Sequence, residues 1–201
     1  MAIKAVVFDI GGILELTPPT GYGARWEAKL EHEPGELNRR LGDIWQAGSL
    51  GHCTLADVEQ AIGERLGMDR PQVEAFMGDL WKEYLGELNV ELADYFRSLR
   101  PSYRTAILSN SFVGAREREE ELYHFSEMSE FIIYSHEVGL EKPDERIFAL
   151  TCERLGLAPE EVIFLDDWGE AIKAAKAFGI HGVHFQTNAQ AIAEINALLE
   201  I

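Results

Sequence analysis

Three carboxylate residues of this chain stand where apolar runs end. Asp9 follows the run AVVF, and Asp166 and Asp167 follow the run VIFL. Ser109 and Asn110 occupy the same place at the end of the run TAIL. Each feature alone is weak, because such an aspartate is often a helix cap and Ser-Asn is common in turns. Three carboxylates brought together would repel one another unless a cation lay among them, and Mg²⁺ prefers oxygen ligands of this kind.

The apolar runs predict the elements that position these residues. Each run is continuous, not alternating, which is typical of strands buried on both faces of a parallel sheet. Helical patterns alternate with the runs, so we expect an α/β fold with a Rossmann-like parallel sheet and right-handed crossovers. The five predicted strands are residues 3–8, 104–109, 130–135, 161–166 and 182–186.

The predicted sheet brings the polar residues to one edge. Ligands of open parallel sheets bind beyond the carboxyl ends of the strands. Asp9 ends the first predicted strand, and the serine, asparagine and paired aspartates end two others. After the third strand, the segment GLEKPDERIF brings Lys142 to the start of a helix. We therefore expect Asp9, Lys142 and the other strand-end residues to meet at this edge.

The first two strands are separated by far more chain than one crossover helix requires. Helical patterns fill that interval, and the economical explanation is a small helical cap inserted over the carboxyl end of the first strand. We expect residues 1–16 and 88–201 to form the α/β core and residues 17–87 to form the cap. The predicted cap helices are residues 21–32, 35–47, 54–67 and 71–86.

Composition limits the partners of the chain. A net charge of −17 without a cluster of basic residues argues against nucleic acid. No apolar run approaches the length of a membrane span, and the sequence MAIKAVVFD lacks the features of a signal peptide. Cys53 and Cys152 are far apart without metal-type spacing, so we expect reduced thiols in a cytoplasmic protein. No clear dimer seam is present, which leaves the oligomeric state unassigned.

The segments FDIGG, LSNS, EKPD and FLDD, in this order, resemble the four motifs of the haloacid dehalogenase superfamily of hydrolases, most of which are phosphatases. The resemblance extends from residue 3 to about residue 186. The stretch VIFLDDWGEAIKAAKAFGI is most similar to bacterial sugar-phosphate phosphatases and to the N-terminal phosphatase domain of soluble epoxide hydrolases. The resemblance implies an Mg²⁺-dependent phosphatase that acts on a small phosphorylated metabolite, possessing a small helical cap.

The resemblance also implies a role for each matching residue. Asp9 would be the nucleophile that forms an aspartyl-phosphate intermediate. Asp9, the carbonyl group of Gly11 and Asp167 would coordinate Mg²⁺, and Asp166 would hold a water molecule of the metal.

The phosphoryl oxygens would be bound by Ser109, the backbone amide of Asn110 and Lys142, where negative charge needs stabilisation. Lys142 would also offset the repulsion between Asp9 and the two later aspartates.

Gly11 departs from the family pattern, in which the residue two after the nucleophile is a second aspartate that serves as the acid and base. Three explanations stay open. The substrate has a good leaving group, such as a sugar 1-phosphate or acyl phosphate; another residue, Glu15, His32 or His52, replaces the acid; or the chain is a weak or inactive binding protein. Glu15 by itself is expected to be a solvated hinge residue.

A different reaction on the same fold is hydrolytic dehalogenation of 2-haloacids, which needs no metal. Relatives with that activity carry residues of the type SSN where this chain has Asp166 and Asp167, so two acids there favour the phosphatase.

Two further expectations concern residues outside the motifs. The run REREEEL, residues 116–122, is expected to be a solvated helix face. Trp26, Trp45 and Trp81 are expected in the core of the cap, and Trp168 beside the paired aspartates either shields the metal site or packs under the cap.

Overall fold

The computed structural model describes residues 2–199; residues 1, 200 and 201, which belong to the expected core, lie outside the described residues. Five parallel strands form one sheet, which confirms the expected α/β fold, and from one edge to the other they are Phe131–Tyr134, Arg104–Ser109, Ala5–Phe8, Val162–Asp166 and His181–His184. The strands are β1 (Ala5–Phe8), β2 (Glu15–Leu16), β3 (Glu87–Leu88), β4 (Arg104–Ser109), β5 (Phe131–Tyr134), β6 (Val162–Asp166) and β7 (His181–His184).

The helices fill the intervals between the strands. They are α1 (Tyr22–Lys29), α2 (Glu36–Ser49), α3 (Leu55–Leu66), α4 (Arg70–Leu85), α5 (Val90–Ser98), α6 (Ala115–Tyr123), α7 (Phe125–Met128), α8 (Ser135–Val138), α9 (Glu145–Leu155), α10 (Gly169–Phe178) and α11 (Asn188–Leu199). A short 3₁₀ helix covers Pro159–Glu161. None of the helices in residues 2–199 is both long enough and apolar enough to cross a bilayer.

The central strand β1 is wholly buried because its residues AVVF pack on both faces of the sheet. Side chains that point to one face, such as Phe8, join a cluster with α5, α7 and α11. Those on the other face, such as Val7, pack against α9 and α10. Ala5 is in register with Arg104 of β4 and with Val162 of β6. The strand therefore delivers the next residue to the middle of the carboxyl edge.

The four helices α1 to α4 pack around their own apolar cluster, which includes Trp26 and Trp81 as expected. Thr54 caps α3 with a reciprocal capping box, in which its hydroxyl accepts a hydrogen bond from the Asp57 amide at 3.2 Å. Trp45 is partly buried against the same cluster. We propose that residues 17–87 are a cap domain on a core of residues 1–16 and 88–201.

A two-residue antiparallel ladder joins β2 to β3 where the chain leaves and re-enters the core, with Glu15 opposite Leu88. The Asn89 backbone amide donates to the Leu14 carbonyl at 2.8 Å, and its side-chain amide donates to the Ile13 carbonyl at 2.9 Å. This junction was not predicted. It holds Glu15 in a fixed position beside the end of β1.

The cap is also tied directly to the core through α2. The Val113 amide donates to the Gly48 carbonyl at 3.2 Å, and the Ser135 hydroxyl donates to the Ser49 carbonyl at 2.8 Å. Gly48 packs so closely on Phe112 that a Cβ atom there would overlap its ring. The end of α2 is thus fixed over the carboxyl edge of the sheet.

Candidate active site

Lys142 lies between two of the carboxylates at the carboxyl edge. Its Nζ atom is 2.9 Å from Oδ1 of Asp9 and 2.6 Å from Oδ2 of Asp166. Asp9 is 8 % exposed, Lys142 is 2 % exposed and Asp166 is fully buried. One buried ammonium therefore faces two buried carboxylates, and the three side chains come from segments far apart in the sequence.

Asp167 completes a cluster of three carboxylates. One oxygen atom each from Asp9, Asp166 and Asp167 lies within 4.8 Å of the others. The three oxygens suit a hard divalent cation, and one ammonium leaves them with excess negative charge, so the residues fit Mg²⁺. Gly12 makes room for this cluster: its φ angle is +74°, and a Cβ atom there would overlap the Asp167 carboxylate.

Burial and mutual repulsion set the protonation of the cluster. Burial raises the pKa of Asp9 to about 7, with a further contribution from Asp166, although Lys142 acts in the opposite direction. Burial also raises the pKa of Asp167, and the Asp166 charge adds to it. Burial lowers the pKa of Lys142, but the charges of Asp9 and Asp166 outweigh this and raise it overall. A divalent cation among the carboxylates would favour their ionised forms.

The side chain of Asn110 holds the segment that carries Lys142. Its Nδ2 atom donates to the Lys142 carbonyl at 2.9 Å, and its Oδ1 atom accepts from the Lys142 amide at 2.8 Å. Ser109 is 2 % exposed and lies at the end of β4, beside Asn110. The family resemblance implies only a backbone contact for Asn110. The reciprocal hydrogen bonds add a positioning role for its side chain.

Asp166 uses both of its oxygens within the protein. Oδ2 accepts from Lys142, and Oδ1 accepts from the Trp168 backbone amide at 2.7 Å. Asp167 is the more exposed of the two neighbours. Trp168 is 43 % exposed and is therefore not packed under the cap.

A cavity of about 710 Å³ opens between the cap and the carboxyl edge. Gly11, Ser109 and Asn110 line its core side, and Trp45 and Tyr84 line its cap side. A Cβ atom added to Gly11 would have no neighbour within 4 Å, so the family's aspartate position is open space here. His32 and His52, two candidates for the missing acid, do not line this cavity.

Two buried glutamates correct the sequence analysis. Glu15, expected as a solvated hinge residue, is 1 % exposed and lines the cavity. Glu119, from the run expected to be solvated, is fully buried and accepts a hydrogen bond from the Tyr134 hydroxyl at 2.5 Å. The Oε1 atoms of both glutamates have no hydrogen-bond partner among the described residues. The spacing of Glu119 one helical turn after the buried Ala115 was the available signal.

Burial explains the protonation of this pair. It raises the pKa of Glu15 to about 10, with contributions from the charges of Glu119 and Asp9. It raises the pKa of Glu119 to about 7, although the hydrogen bond from Tyr134 acts in the opposite direction.

The family model for haloacid dehalogenase-like hydrolases matches residues 3–179. The chain belongs to this family of hydrolases. The match includes the strands β1 to β6 and the helices α1 to α4, and the resemblance inferred from the motifs is thereby confirmed.

Curated relatives of this haloacid dehalogenase-like hydrolase include proteins of different length. Mouse acyl-CoA dehydrogenase family member 10 is 29 % identical over 98 % of the chain, which spans 19 % of that protein. Pig bifunctional epoxide hydrolase 2 is 26 % identical over 97 % of the chain, which spans 38 % of that protein. D-Ribitol-5-phosphate phosphatase of Bacteroides thetaiotaomicron is 23 % identical over 98 % of both chains.

Solved structures support the fold of this hydrolase. A haloacid dehalogenase family enzyme from Bacteroides thetaiotaomicron superposes with a TM-score of 0.82 at 22 % identity, covering 94 % of this chain and 96 % of that chain. A complex of that enzyme with magnesium and inorganic phosphate has a TM-score of 0.78 at 23 % identity, covering 93 % and 96 % of the two chains. At these identities the similarity establishes the shared fold.

Proposed function

We propose that this hydrolase is an Mg²⁺-dependent phosphatase that acts on a small phosphorylated metabolite through an aspartyl-phosphate intermediate on Asp9. The observation that carries the proposal is the placement of Lys142 between Asp9 and Asp166, with Asp167 in the same carboxylate cluster. The relatives named as phosphatases support the same reaction class.

In the first half-reaction, a carboxylate oxygen of Asp9 attacks phosphorus, and the bond from phosphorus to the ester oxygen breaks. Lys142 and the hydroxyl of Ser109, with the backbone amide of Asn110, stabilise the charge on the phosphoryl oxygens. The leaving alkoxide takes a proton from a water molecule, because Gly11 supplies no acid, and the hydroxide left behind accepts the proton that the attacking water loses in the second half-reaction. In the second half-reaction, water attacks the phosphorus of the aspartyl phosphate, which releases inorganic phosphate and regenerates Asp9.

Asp9, the carbonyl of Gly11 and Asp167 would hold Mg²⁺ in this site. Asp166 would hold a water molecule of the metal. When bound, the cation would neutralise the carboxylates and the phosphoryl oxygens and thereby let the two anionic groups approach each other. Asp166 also orients Lys142, since its Oδ2 atom accepts from that ammonium at 2.6 Å.

Turnover of para-nitrophenyl phosphate tests the proposal. We expect hydrolysis with Mg²⁺, loss of hydrolysis with EDTA, and loss in Asp9→Asn, which keeps the shape of the side chain. Asp94→Asn is the matched control, because Asp94 is exposed on α5 and should leave turnover unchanged. Absence of turnover for the aryl phosphate and for a metabolite panel would refute the phosphatase.

Two other functions predict different results in the same assays. A 2-haloacid dehalogenase would release halide and retain that activity in EDTA. A non-catalytic binding protein would not turn over any phosphate ester and would not bind vanadate or beryllofluoride in an Mg²⁺-dependent manner. An active phosphatase binds these analogues with Mg²⁺, and Asp9→Asn abolishes the binding.

A further inference from the structure

The cavity between the cap and the carboxyl edge of the sheet is poor in positive charge. Three acidic residues, Glu15, Glu83 and Glu141, line it, whereas its lining within residues 2–199 includes no lysine, arginine or histidine. Lys142 does not line the cavity and is paired with Asp9 and Asp166. A second anionic group on a substrate would therefore find no cation beyond the phosphate site.

Two of the acids are fixed at the cap side and rim of the cavity. Glu83 accepts a hydrogen bond from the Thr20 amide at 2.6 Å and another from its hydroxyl, which lowers the pKa of Glu83 and keeps it ionised. Glu141 accepts from the side-chain amide of Gln46 at 3.1 Å, which joins the core to α2. Both carboxylates would repel an anionic leaving group.

Glu15 supplies the feature that indicates a ligand. It is 1 % exposed, it lines the cavity, and its Oε1 atom has no partner among the described residues. A buried polar atom without a partner is costly, and a donor on a ligand would remove that cost. Oε1 retains acceptor capacity whether the carboxyl group is ionised or protonated, so a substrate hydroxyl can donate to it in either state.

The rest of the lining suits a molecule that carries both C–H groups and hydroxyl groups. Tyr22, Trp45, Tyr84 and Phe112 present aromatic rings to the same space. Sites of this composition bind a largely uncharged molecule and orient it with a few polar contacts.

We propose that the substrate is a phosphate monoester of a polyhydroxy alcohol without a second negative charge, and that Glu15 selects it by accepting a hydrogen bond from one of its hydroxyl groups. The proposal rests on the phosphatase function proposed above. It makes Glu15 a determinant of specificity, at a position outside the four family motifs.

Two pairs of matched substrates test the charge preference. Glycerol 3-phosphate and 3-phosphoglycerate differ by a hydroxymethyl group in place of a carboxylate, and sorbitol 6-phosphate and 6-phosphogluconate differ in the same way. We expect kcat/KM for the alcohol member of each pair to exceed that for the acid by about tenfold or more. Equal values, or a preference for the acids, would overturn the proposal.

Substitutions of Glu15 test the hydrogen bond. We expect Glu15→Leu to lower the ratio of kcat/KM for sorbitol 6-phosphate to that for para-nitrophenyl phosphate by about tenfold. The aryl ester has no hydroxyl group that could donate to Glu15, so its kcat/KM should not depend on this hydrogen bond. Glu15→Gln keeps an acceptor oxygen and should retain most of the ratio. An unchanged ratio in Glu15→Leu would contradict the assignment, provided that its Tm matches that of the parent.

Asn38 offers a complementary gain of function, because it lines the cavity and is uncharged. Asn38→Lys should raise kcat/KM for 6-phosphogluconate relative to sorbitol 6-phosphate, and Asn38→Gln is the neutral control. If neither the aryl phosphate nor a metabolite panel is hydrolysed, the phosphatase proposal itself fails. If the aryl phosphate is hydrolysed and none of the four metabolites is, only the substrate inference fails.

Discussion

Gly11 occupies the position at which typical phosphatases of this family carry an acid, and the site has space for one. A Cβ atom there would meet nothing within 4 Å, so a longer side chain has room at this position. We expect Gly11→Asp to raise turnover of esters with a poor leaving group, because a positioned acid contributes about 10²–10⁴-fold. The measurement is kcat for glycerol 3-phosphate.

A comparison of two esters is the control experiment for this gain of function. Para-nitrophenyl phosphate has a good leaving group, so its turnover should rise much less than that of glycerol 3-phosphate. Gly11→Asn introduces a side chain of similar size that has no acidic proton, and it should not reproduce the gain. A Gly11→Asp variant that folds and shows no difference between the two esters would mean that the missing acid does not limit this enzyme.

Lys142 is paired with two buried carboxylates, and its removal should affect both stability and activity. In Lys142→Met, Asp9 and Asp166 would face each other without a cation, and breaking such buried pairs costs about 3–5 kcal/mol. Thermal unfolding without Mg²⁺ should show a large drop in Tm. Turnover of para-nitrophenyl phosphate should fall by about 10²-fold or more, because a charged donor to the phosphoryl group is lost.

Lys173→Met is the matched control for this variant, since Lys173 is exposed on α10. It should leave both Tm and turnover unchanged. A Lys142→Met protein with the parental Tm would indicate that the ammonium is not needed to hold the two carboxylates together.

At the scale of elements, the strands could be predicted because their signal is local. The run TAIL and the run VIFL end within the observed strands β4 and β6, and four cap helices occur within a few residues of their predicted bounds. The β2–β3 ladder escaped prediction because two residues per strand carry no periodic signal. The edge strand β7 differs from the expectation of full burial, since only Val183 in it is buried.

Only those residues of the candidate site that lie at the carboxyl ends of strands could be predicted from the sequence. The positions of Asp9 and Asp166 follow from the sheet, because the parallel strands end at one edge. The reciprocal bonds between Asn110 and Lys142 could not be predicted, since they depend on how two distant loops pack. Burial of Glu119 likewise depends on its partner Tyr134, which lies on β5.

The packing of α6 on β5 gives Glu119 a pH-dependent effect on stability. Burial raises its pKa from 4.5 to about 7. Between these values the folded protein holds a proton that the unfolded chain has lost, so the free energy of unfolding falls as pH rises through this window. At about 1.4 kcal/mol per pKa unit, the loss is on the order of 3 kcal/mol.

Glu119→Gln is neutral in both states and should not lose this stability. At pH 5 its Tm should be close to that of the parent. At pH 8 its Tm should exceed that of the parent by about 5–10 °C for a chain of this size. Glu121→Gln on the exposed face of α6 is the control and should give the same difference at both pH values. A Glu119→Gln difference that does not vary with pH would contradict the prediction.

At the scale of the whole molecule, we expect any added salt to change the stability, because the chain has a net charge of −17. Self-repulsion of a highly charged protein weakens its compact state, and salt screens that repulsion. A rise in Tm on adding MgCl₂ is therefore not by itself a sign of a bound ion. The comparison must be made at constant ionic strength, with KCl replacing MgCl₂.

Under that condition, Mg²⁺ should still raise the Tm, because a ligand that binds only the folded state stabilises it by about 2.7 kcal/mol at a concentration of 100 Kd. Asp167→Asn should abolish the shift, since it removes a carboxylate of the proposed metal site. Without Mg²⁺ the same variant should be as stable as the parent or more stable, because it removes the charge whose burial and repulsion by Asp166 raise the pKa of Asp167. Asp94→Asn should retain the full shift, and an Asp167→Asn protein that also retained it would place the cation elsewhere.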